Sequence, residues 1–480
     1  MILKTRKRTI AFVLALLALV SLIGCYHGKE GTSDVPDSTV PPYNDDPYTD
    51  NLPARDYEGA VFRIYTYDSE NMICPTLEEE ISSDVVSESI YYATMEVEER
   101  FKIDLVEILV DDGSLNTFMS PAQAGSYEYD IGNMRAEYAL TMWTNDLSYT
   151  YDELTYVDLD KAYWNQTANE SLKLNNTQYA AIGGYSVAAH CLVHALAFNK
   201  SIVADLTLTS PYDLVRQNSW TMETMKTMLV AATSDMDGDQ IMTEQDRYGY
   251  LAHYKEILPS FWIASDVLSF EKDEDGMPYS NMTSRKFNDV FNKVFEVIYD
   301  TGSWYIGDRW NPDIPEFCVN MFAGGHSLFV DTTFFALERF RGIDGFEFGL
   351  LPYPKLDEKQ REYISRVEYY NTCVVPYGVL DPERAGIVLE ALNCVYQKRF
   401  LPAYYEYALQ RKYTADTESR EMLDIIFQSL VIDLGDTLFC STVRDGFLAK
   451  MFLNNNRNIS SELSKNTGKI QVLIDSIENS

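Results

Sequence analysis

Strand-like and helix-like segments alternate along most of this chain, and that alternation restricts its fold more than any other feature. Ala60-Val-Phe-Arg-Ile-Tyr-Thr-Tyr67 is short, β-branched and aromatic, and reads as a strand. Val86, Ile90, Ala93, Val97 and Phe101 follow at spacings of three and four, the period of a helix with one apolar face. Further strands are predicted at Lys102–Val110, Tyr127–Ile131, Tyr179–Ile182, Leu196–Asn199, Ser327–Asp331 and Phe346–Leu351. Phe287, Val290, Phe291, Val294 and Ile298 mark a helix that stops near Gly302. Asp381-Pro382 caps another, with Val388, Ala391, Leu392 and Val395 facing inward. Such alternation over hundreds of residues predicts an α/β protein with mainly parallel sheets. A length of 480 residues exceeds what one core organises, so more than one domain is expected. No internal repeat is readable.

The two ends of the polar balance say where the chain works. Lys4, Arg6, Lys7 and Arg8 precede an apolar run from Ile10 to Val20, which ends in Ser21-Leu-Ile-Gly24-Cys25. A basic start, a short apolar core and small residues at the cut mark a secretory signal, and the run is shorter than the about 20 residues that span a bilayer. Residues 25–56 carry seven glycines and prolines among Ser, Thr, Asp and Asn; they read as an extended tether. Removing residues 1–24 takes four of the 39 basic side chains and none of the 73 acidic ones, so the net charge moves from −34 to −38. Nucleic-acid binding, which needs clustered cations, is disfavoured. Six cysteines remain after Cys25; several lie in apolar runs, which favours buried thiols over disulfides, and no CxxC spacing suggests zinc.

Several stretches, in order, resemble the carbohydrate-type family 1 of extracellular solute-binding proteins that serve bacterial ABC importers. They are Ala197-Phe-Asn-Lys200, Ser210-Pro-Tyr-Asp-Leu-Val215, Ser219-Trp-Thr-Met-Glu223, Asp235–Tyr250, Ala323–Phe329, Gly349–Pro354 and Leu401–Tyr405, within residues 57–435. The start resembles a lipobox, which implies that Cys25 becomes a lipidated N-terminus on the extracellular face of the membrane. The resemblance implies a two-lobe periplasmic-binding-protein-like fold of type II, with discontinuous lobes joined by a hinge. The expected lobes are 57–160 plus 365–435 and 161–364 plus 436–480. Its implied partners are an oligosaccharide and the transmembrane subunits of an ABC permease, with the protein itself a monomer and not an enzyme. A surface glycan hydrolase and a peptide- or cell-wall-binding lipoprotein of similar fold remain open alternatives.

The segment Asp235–Asp246 follows an EF-hand-type loop. Asp235, Asp237, Asp239, the Ile241 carbonyl, Thr243 and Asp246 fall at positions 1, 3, 5, 7, 9 and 12, the alternation a structural calcium ion requires. Gln240 stands at position 6, where glycine ordinarily takes a positive φ, and Asp246 replaces the usual glutamate. No other cofactor is implied.

Signals for catalysis are weak. Gly184-Tyr-Ser186-Val-Ala188 half-matches a nucleophile elbow, but its second glycine is missing. His190 and His194 have a metal-like spacing without the glutamate of a zincin, and Glu78, Glu79 and Glu80 read as a solvated helix start. Ligands of doubly wound sheets bind beyond the carboxyl ends of strands, and sugars want rings for their C–H faces and charged or amide groups for their hydroxyls. That rule selects Tyr67, Asp68 and Glu70; Asn133, Arg135 and Glu137; and Asp331, Thr332 and Phe334. Trp262, Trp304 and Trp310 are candidate stacking platforms.

Overall fold

The structure is a computed structural model and describes residues 48–67, 77, 84–110, 115–305, 316–340, 343–368, 371–406, 409 and 416–480. Two sheets organise it. The first runs in the order Asn371–Val374, Ile131–Arg135, Ala60–Tyr67, Ile103–Val110. Its last three strands are parallel, with Ala60 opposite Ile103 and Ile64 opposite Ile131, while Asn371–Val374 pairs antiparallel with Ile131–Arg135. The second sheet runs Phe348–Leu351, His194–Asn199, Ser327–Thr333, Tyr248–Leu251, Trp304–Tyr305. Again three strands are parallel, and His194–Asn199 lies antiparallel beside them.

The two sheets therefore repeat one plan. Each has three parallel strands in the spatial order third, first, second, and beside the third an antiparallel strand that has just arrived from the other sheet. The sheets are mixed rather than mainly parallel for this reason: a strand entering from the opposite lobe has no crossover helix to turn it round. This is the expected α/β architecture of two lobes, each assembled from separated parts of the chain and joined by a hinge.

Most elements form where the sequence places them. Asp84 caps the helix Val85–Phe101 by accepting from the Val86 and Ser87 amides, and the helix buries Ile90, Ala93, Val97 and Phe101. It packs on the long helix Pro382–Pro402, which Asp381 caps and Pro382 starts. Two strand predictions fail. The strand near Tyr127 begins only at Ile131, because the Asp130 carboxylate accepts from the Arg63 amide at 2.8 Å and from the Tyr127 hydroxyl, fixing the approach as a turn. Tyr179–Ile182 is extended but joins no ladder; side chains satisfy its amides, Thr372 Oγ1 taking Ala181 N and Asn169 Oδ1 taking Ile182 N.

Residues 161–191, expected in the second lobe, bond to both lobes: Asn175 and Asn176 donate to Gly276 and Asp275 of the second, while other groups reach the first. The Tyr163 hydroxyl and Trp164 Nε1 donate to Glu390, and the Tyr185 amide donates to Asn393, both on the helix Pro382–Pro402. The helix Thr417–Gln428, expected in the first lobe, packs on the strand Phe348–Leu351 of the second, with Lys200 Nζ 2.6 Å from Asp416. Cys191, Cys318, Cys373, Cys394 and Cys440 are buried free thiols. Among the described residues no helix is long and apolar enough to cross a membrane. Cys25, Cys74, the signal segment and residues 25–47 of the tether lie outside the described residues, and the expected tether is shorter than 25–56 because Asp50 pairs with Arg100 while Tyr48 and Leu52 pack on the core.

Candidate functional site

Three passages of chain meet between the sheets and pair with one another. Val193 bridges Val367, the Glu368 amide donates to the Leu192 carbonyl, and Ser365–Arg366 pair in parallel with Leu430–Val431. The first two segments carry the chain from one sheet to the other and the third pairs with them, so together they mark the hinge.

A cluster of buried charges sits directly on them. Arg366, 1% exposed, grips Asp436 with Nε at 2.6 Å and Nη2 at 2.8 Å, and Glu256 with Nη1 at 2.7 Å. His194, 2% exposed, has Nδ1 at 2.9 Å from Asp331 and Nε2 at 3.0 Å from Glu368. Asp331 also accepts the Tyr353 hydroxyl, and Tyr353 is bonded to Tyr250 at 2.9 Å. Buried ions persist only when paired and hydrogen-bonded, and each one here is. Both imidazole nitrogens face a carboxylate oxygen, and only the doubly protonated ring can donate to both. Burial disfavours that charge, and so does the nearby Arg366 cation, but the Asp331 and Glu368 carboxylates together outweigh both and lift His194 to about 9. Burial likewise opposes ionisation of Glu256, and the Arg366, His253, Arg444 and His194 groups together overcome it, holding that carboxyl well below its usual range. His194, Glu256 and Glu368 lie close enough to hold a metal ion, but the Arg366 guanidinium already fills the centre of the trio as its cation, 3.1 Å from His194 Nε2.

The cleft opens beside this cluster. A small cavity of about 10 Å³, room for a single water or hydroxyl, is lined by Arg135, Ala136 and Glu137 from the first lobe, by Glu368 from the hinge, and by Thr437, Cys440 and Arg444 from the C-terminal segment. Its charges are matched: Arg135 lies 2.9 Å from Glu137, and Arg444 lies 3.4 Å from Glu368. Arg135 sits over the rings of Tyr67 and Tyr138, 5.7 Å from each centroid, and those rings meet edge-on. His253 and Tyr254, just past the strand Tyr248–Leu251 and next to Glu256 of the charge cluster, lie ring to ring at 4.4 Å. The strand-end rule therefore places Tyr67, Arg135, Glu137 and Asp331 around the cleft and hinge. Asn133 is buried with Nδ2 unpartnered, and Thr332 is buried in its strand. Asp68, Glu70 and Trp310 lie outside the described residues.

The remaining candidates sit elsewhere. Trp262 is buried on the helix Tyr254–Ala264 against Phe287, and Phe334 stacks on Phe427 at 5.5 Å. Both rings are interior packing, because apolar helix and strand-end positions are filled by the core before any ligand. Trp304 is half-buried and donates Nε1 to the Ala252 carbonyl, with Phe452 against its ring. Sequence reasoning missed Glu256, Arg366, Glu368 and Arg444. Arg366 and Glu368, alternate residues of a hinge segment that reads as ordinary loop, carried no signal.

The catalytic motifs resolve into structure. A Cβ on Gly184 would fall inside the backbone of Asn393 and Gln397, so the glycine serves close helix approach, not a nucleophile turn. Ser186 Oγ accepts the Gly183 amide. His190 is buried with Nε2 3.3 Å from the Gly183 carbonyl, and burial lowers it to about 4. Glu78, Glu79 and Glu80 lie outside the described residues.

The acidic loop has the backbone of a cation site. Oxygens of Asp235, Asp237 and Asp239 lie within 4.8 Å of one another. Asp235 accepts the Gly238 and Gln240 amides at 2.7 and 2.8 Å, and Gln240 takes φ +68°, as position 6 demands. Asp246 turns inward to the Met236 and Thr243 amides at 2.8 and 2.6 Å, closing the loop. Ile241 is exposed at the loop tip, and Thr243 Oγ1 meets Asp246. These donors fit a hard cation.

No protein-family model and no curated sequence matches the chain. Solved structures do. The sugar-binding protein MalE from Xanthomonas citri aligns with TM-score 0.58 at 12% identity, covering 87% of this chain and 98% of that one. The cyclic alpha-maltosyl-1,6-maltose binding protein from Arthrobacter globiformis gives 0.56 at 11% identity, covering 88% and 100%. The ABC substrate-binding protein Lmo0181 from Listeria monocytogenes, in complex with cycloalternan, gives 0.55 at 9% identity, covering 87% and 99%. At such identities the likeness establishes the fold.

Proposed function

We propose that this chain is a lipid-anchored extracellular receptor that captures a sugar or oligosaccharide between its lobes and delivers it to an ABC permease. The observation that carries the reading is the two-lobe fold, shared over 87% of the chain with a protein described as sugar-binding; at its hinge a small cavity of matched charges is flanked by Tyr67 and Tyr138. Aromatic faces suit sugar C–H surfaces, and paired Arg and Glu groups keep spare hydrogen-bonding capacity for hydroxyls. The fold is shared with proteins described as binding maltose-type sugars and cycloalternan. Ligand binding favours the closed arrangement of the lobes, which the permease then reads. Cys25 carries the lipid, and residues 26–47 space the body from the membrane.

Asp235, Asp237, Asp239, the Ile241 carbonyl, Thr243 and Asp246 hold a structural calcium ion that stiffens the connection into the strand Tyr248–Leu251. Isothermal calorimetry of the purified protein against maltotriose, cyclic maltosyl-maltose, cycloalternan and a uronic-acid trimer tests the function. Saturable binding without product supports it; release of reducing ends would instead establish a hydrolase.

A further inference from the structure

Glu368 belongs to two structures at once. Its Oε2 lies 3.0 Å from His194 Nε2 at the hinge, and its Oε1 lies 3.4 Å from Arg444 Nη1 at the cavity wall. It lines the cavity itself and is the most exposed of the four carboxylates around His194 and Arg366, at 17% against 13% for Glu256, 5% for Asp331 and 0% for Asp436. Its backbone is held too, the amide donating to Leu192 one residue from the Val193–Val367 bridge.

The strengths of the contacts are uneven. Those holding Arg366 span 2.6–2.8 Å to Asp436 and Glu256 and are sealed from solvent, whereas the Arg444–Glu368 contact is long for a charge-assisted bond. Arg444 also keeps Asp436 at 3.2 Å and Asp445 at 3.2 Å, so it stays paired if Glu368 turns to another donor. A ligand hydroxyl entering the cavity can therefore replace Arg444 on Oε1 while Oε2 remains on the imidazole.

We propose that Glu368 is the positioning residue that couples occupancy of the cleft to the hinge, exchanging Arg444 for a ligand hydroxyl and thereby changing its hold on His194. The inference rests on the solute-receptor reading for the ligand, but not for the Glu368–His194 link. The charged and titratable groups facing His194 are Asp331, Glu368, Arg366, Glu256 and, through Asp331, Tyr353. Only Glu368 among them also lines the cavity. A proton held by the imidazole thus reports on the cleft through this one carboxylate.

The test uses the full-length protein and its E368Q variant, with imidazole ¹⁵N resonances followed by NMR from pH 6 to 10.5. Without any sugar, E368Q should lower the His194 titration by at least one pH unit. An unchanged His194 midpoint would overturn the proposal whatever the ligand proves to be. In a second arm, each sugar found to bind by calorimetry is added at saturation. The wild type should shift the His194 midpoint by 0.3 pH unit or more, and E368Q should bind at least fivefold more weakly with no such shift. Binding that leaves His194 unmoved in the wild type overturns the coupling while the receptor reading stands. If no sugar binds, the receptor reading fails and the first arm still decides the Glu368–His194 link. Circular dichroism and a D445N control, in which a more exposed partner of Arg444 is neutralised, separate these effects from misfolding.

Discussion

Replacing His194 with glutamine should flatten the alkaline stability profile of this protein. The wild-type ring rises from an ordinary 6.5 to about 9 in the folded state. Each factor of ten in proton affinity is worth about 1.4 kcal/mol, so the imidazolium contributes about 3 kcal/mol relative to a neutral ring. Because the folded value is raised, that stability is complete below pH 6.5 and is lost as pH climbs through 9. His194 is nearly sealed, with partners at 2.9 and 3.0 Å, so solvent screening takes little from the figure. H194Q removes a buried charge from among carboxylates and should lose roughly 3–5 kcal/mol at pH 6. Urea unfolding, followed by tryptophan fluorescence at half-unit steps from pH 6 to 10, reads both effects. The difference between wild type and variant should shrink by about 3 kcal/mol across the range. A constant difference would show that the ring is neutral throughout and would refute the two-carboxylate account.

Other perturbations follow from the same structure. Glu390 is buried under Tyr163 and Trp164, and burial pushes its carboxyl up to about 7. A raised carboxylate value means stability present below 4.5 and lost as pH rises through 7, on the order of 3 kcal/mol. E390Q should therefore melt higher than wild type at pH 8.5 and no higher at pH 5, by differential scanning fluorimetry; equal gains at both would contradict this. G184A should cost about 1–3 kcal/mol in urea unfolding, since the added methyl strikes the backbone of the helix Pro382–Pro402; a neutral effect would show the contact to be loose. Calcium at 2 mM should raise the melting temperature relative to EDTA, and D235N/D239N should abolish the rise; magnesium giving the same gain in the double variant would remove the site.

The fold was legible where local chemistry and tertiary context agree. Ala60–Tyr67 is a strand by propensity and sits in the middle of its sheet, and Asp381-Pro382 begins a helix exactly as capping chemistry requires for a donor-poor first turn. The Tyr179–Ile182 prediction failed because its amides are taken by Asn169 and Thr372, residues no local window connects to it. The repeated sheet plan escaped notice because it repeats connections and not residues. Near the hinge, the strand-end rule selected Tyr67, Arg135, Glu137 and Asp331, whose positions there follow from strand limits and whose part in binding is a proposal. It could not find Arg366, Glu368 or Arg444, which converge from hinge and C-terminal segments far apart in sequence. Trp262 and Phe334 misled because a large ring near a polar stretch reads alike in a core and in a cleft.

Small-angle scattering with and without a saturating sugar tests the central claim most directly. The account predicts a smaller radius of gyration in the complex, by about 0.5–1.5 Å as two lobes close on a hinge, with the sugar recovered intact. A ligand that binds tightly without contracting the particle, or that is recovered cleaved, would contradict it.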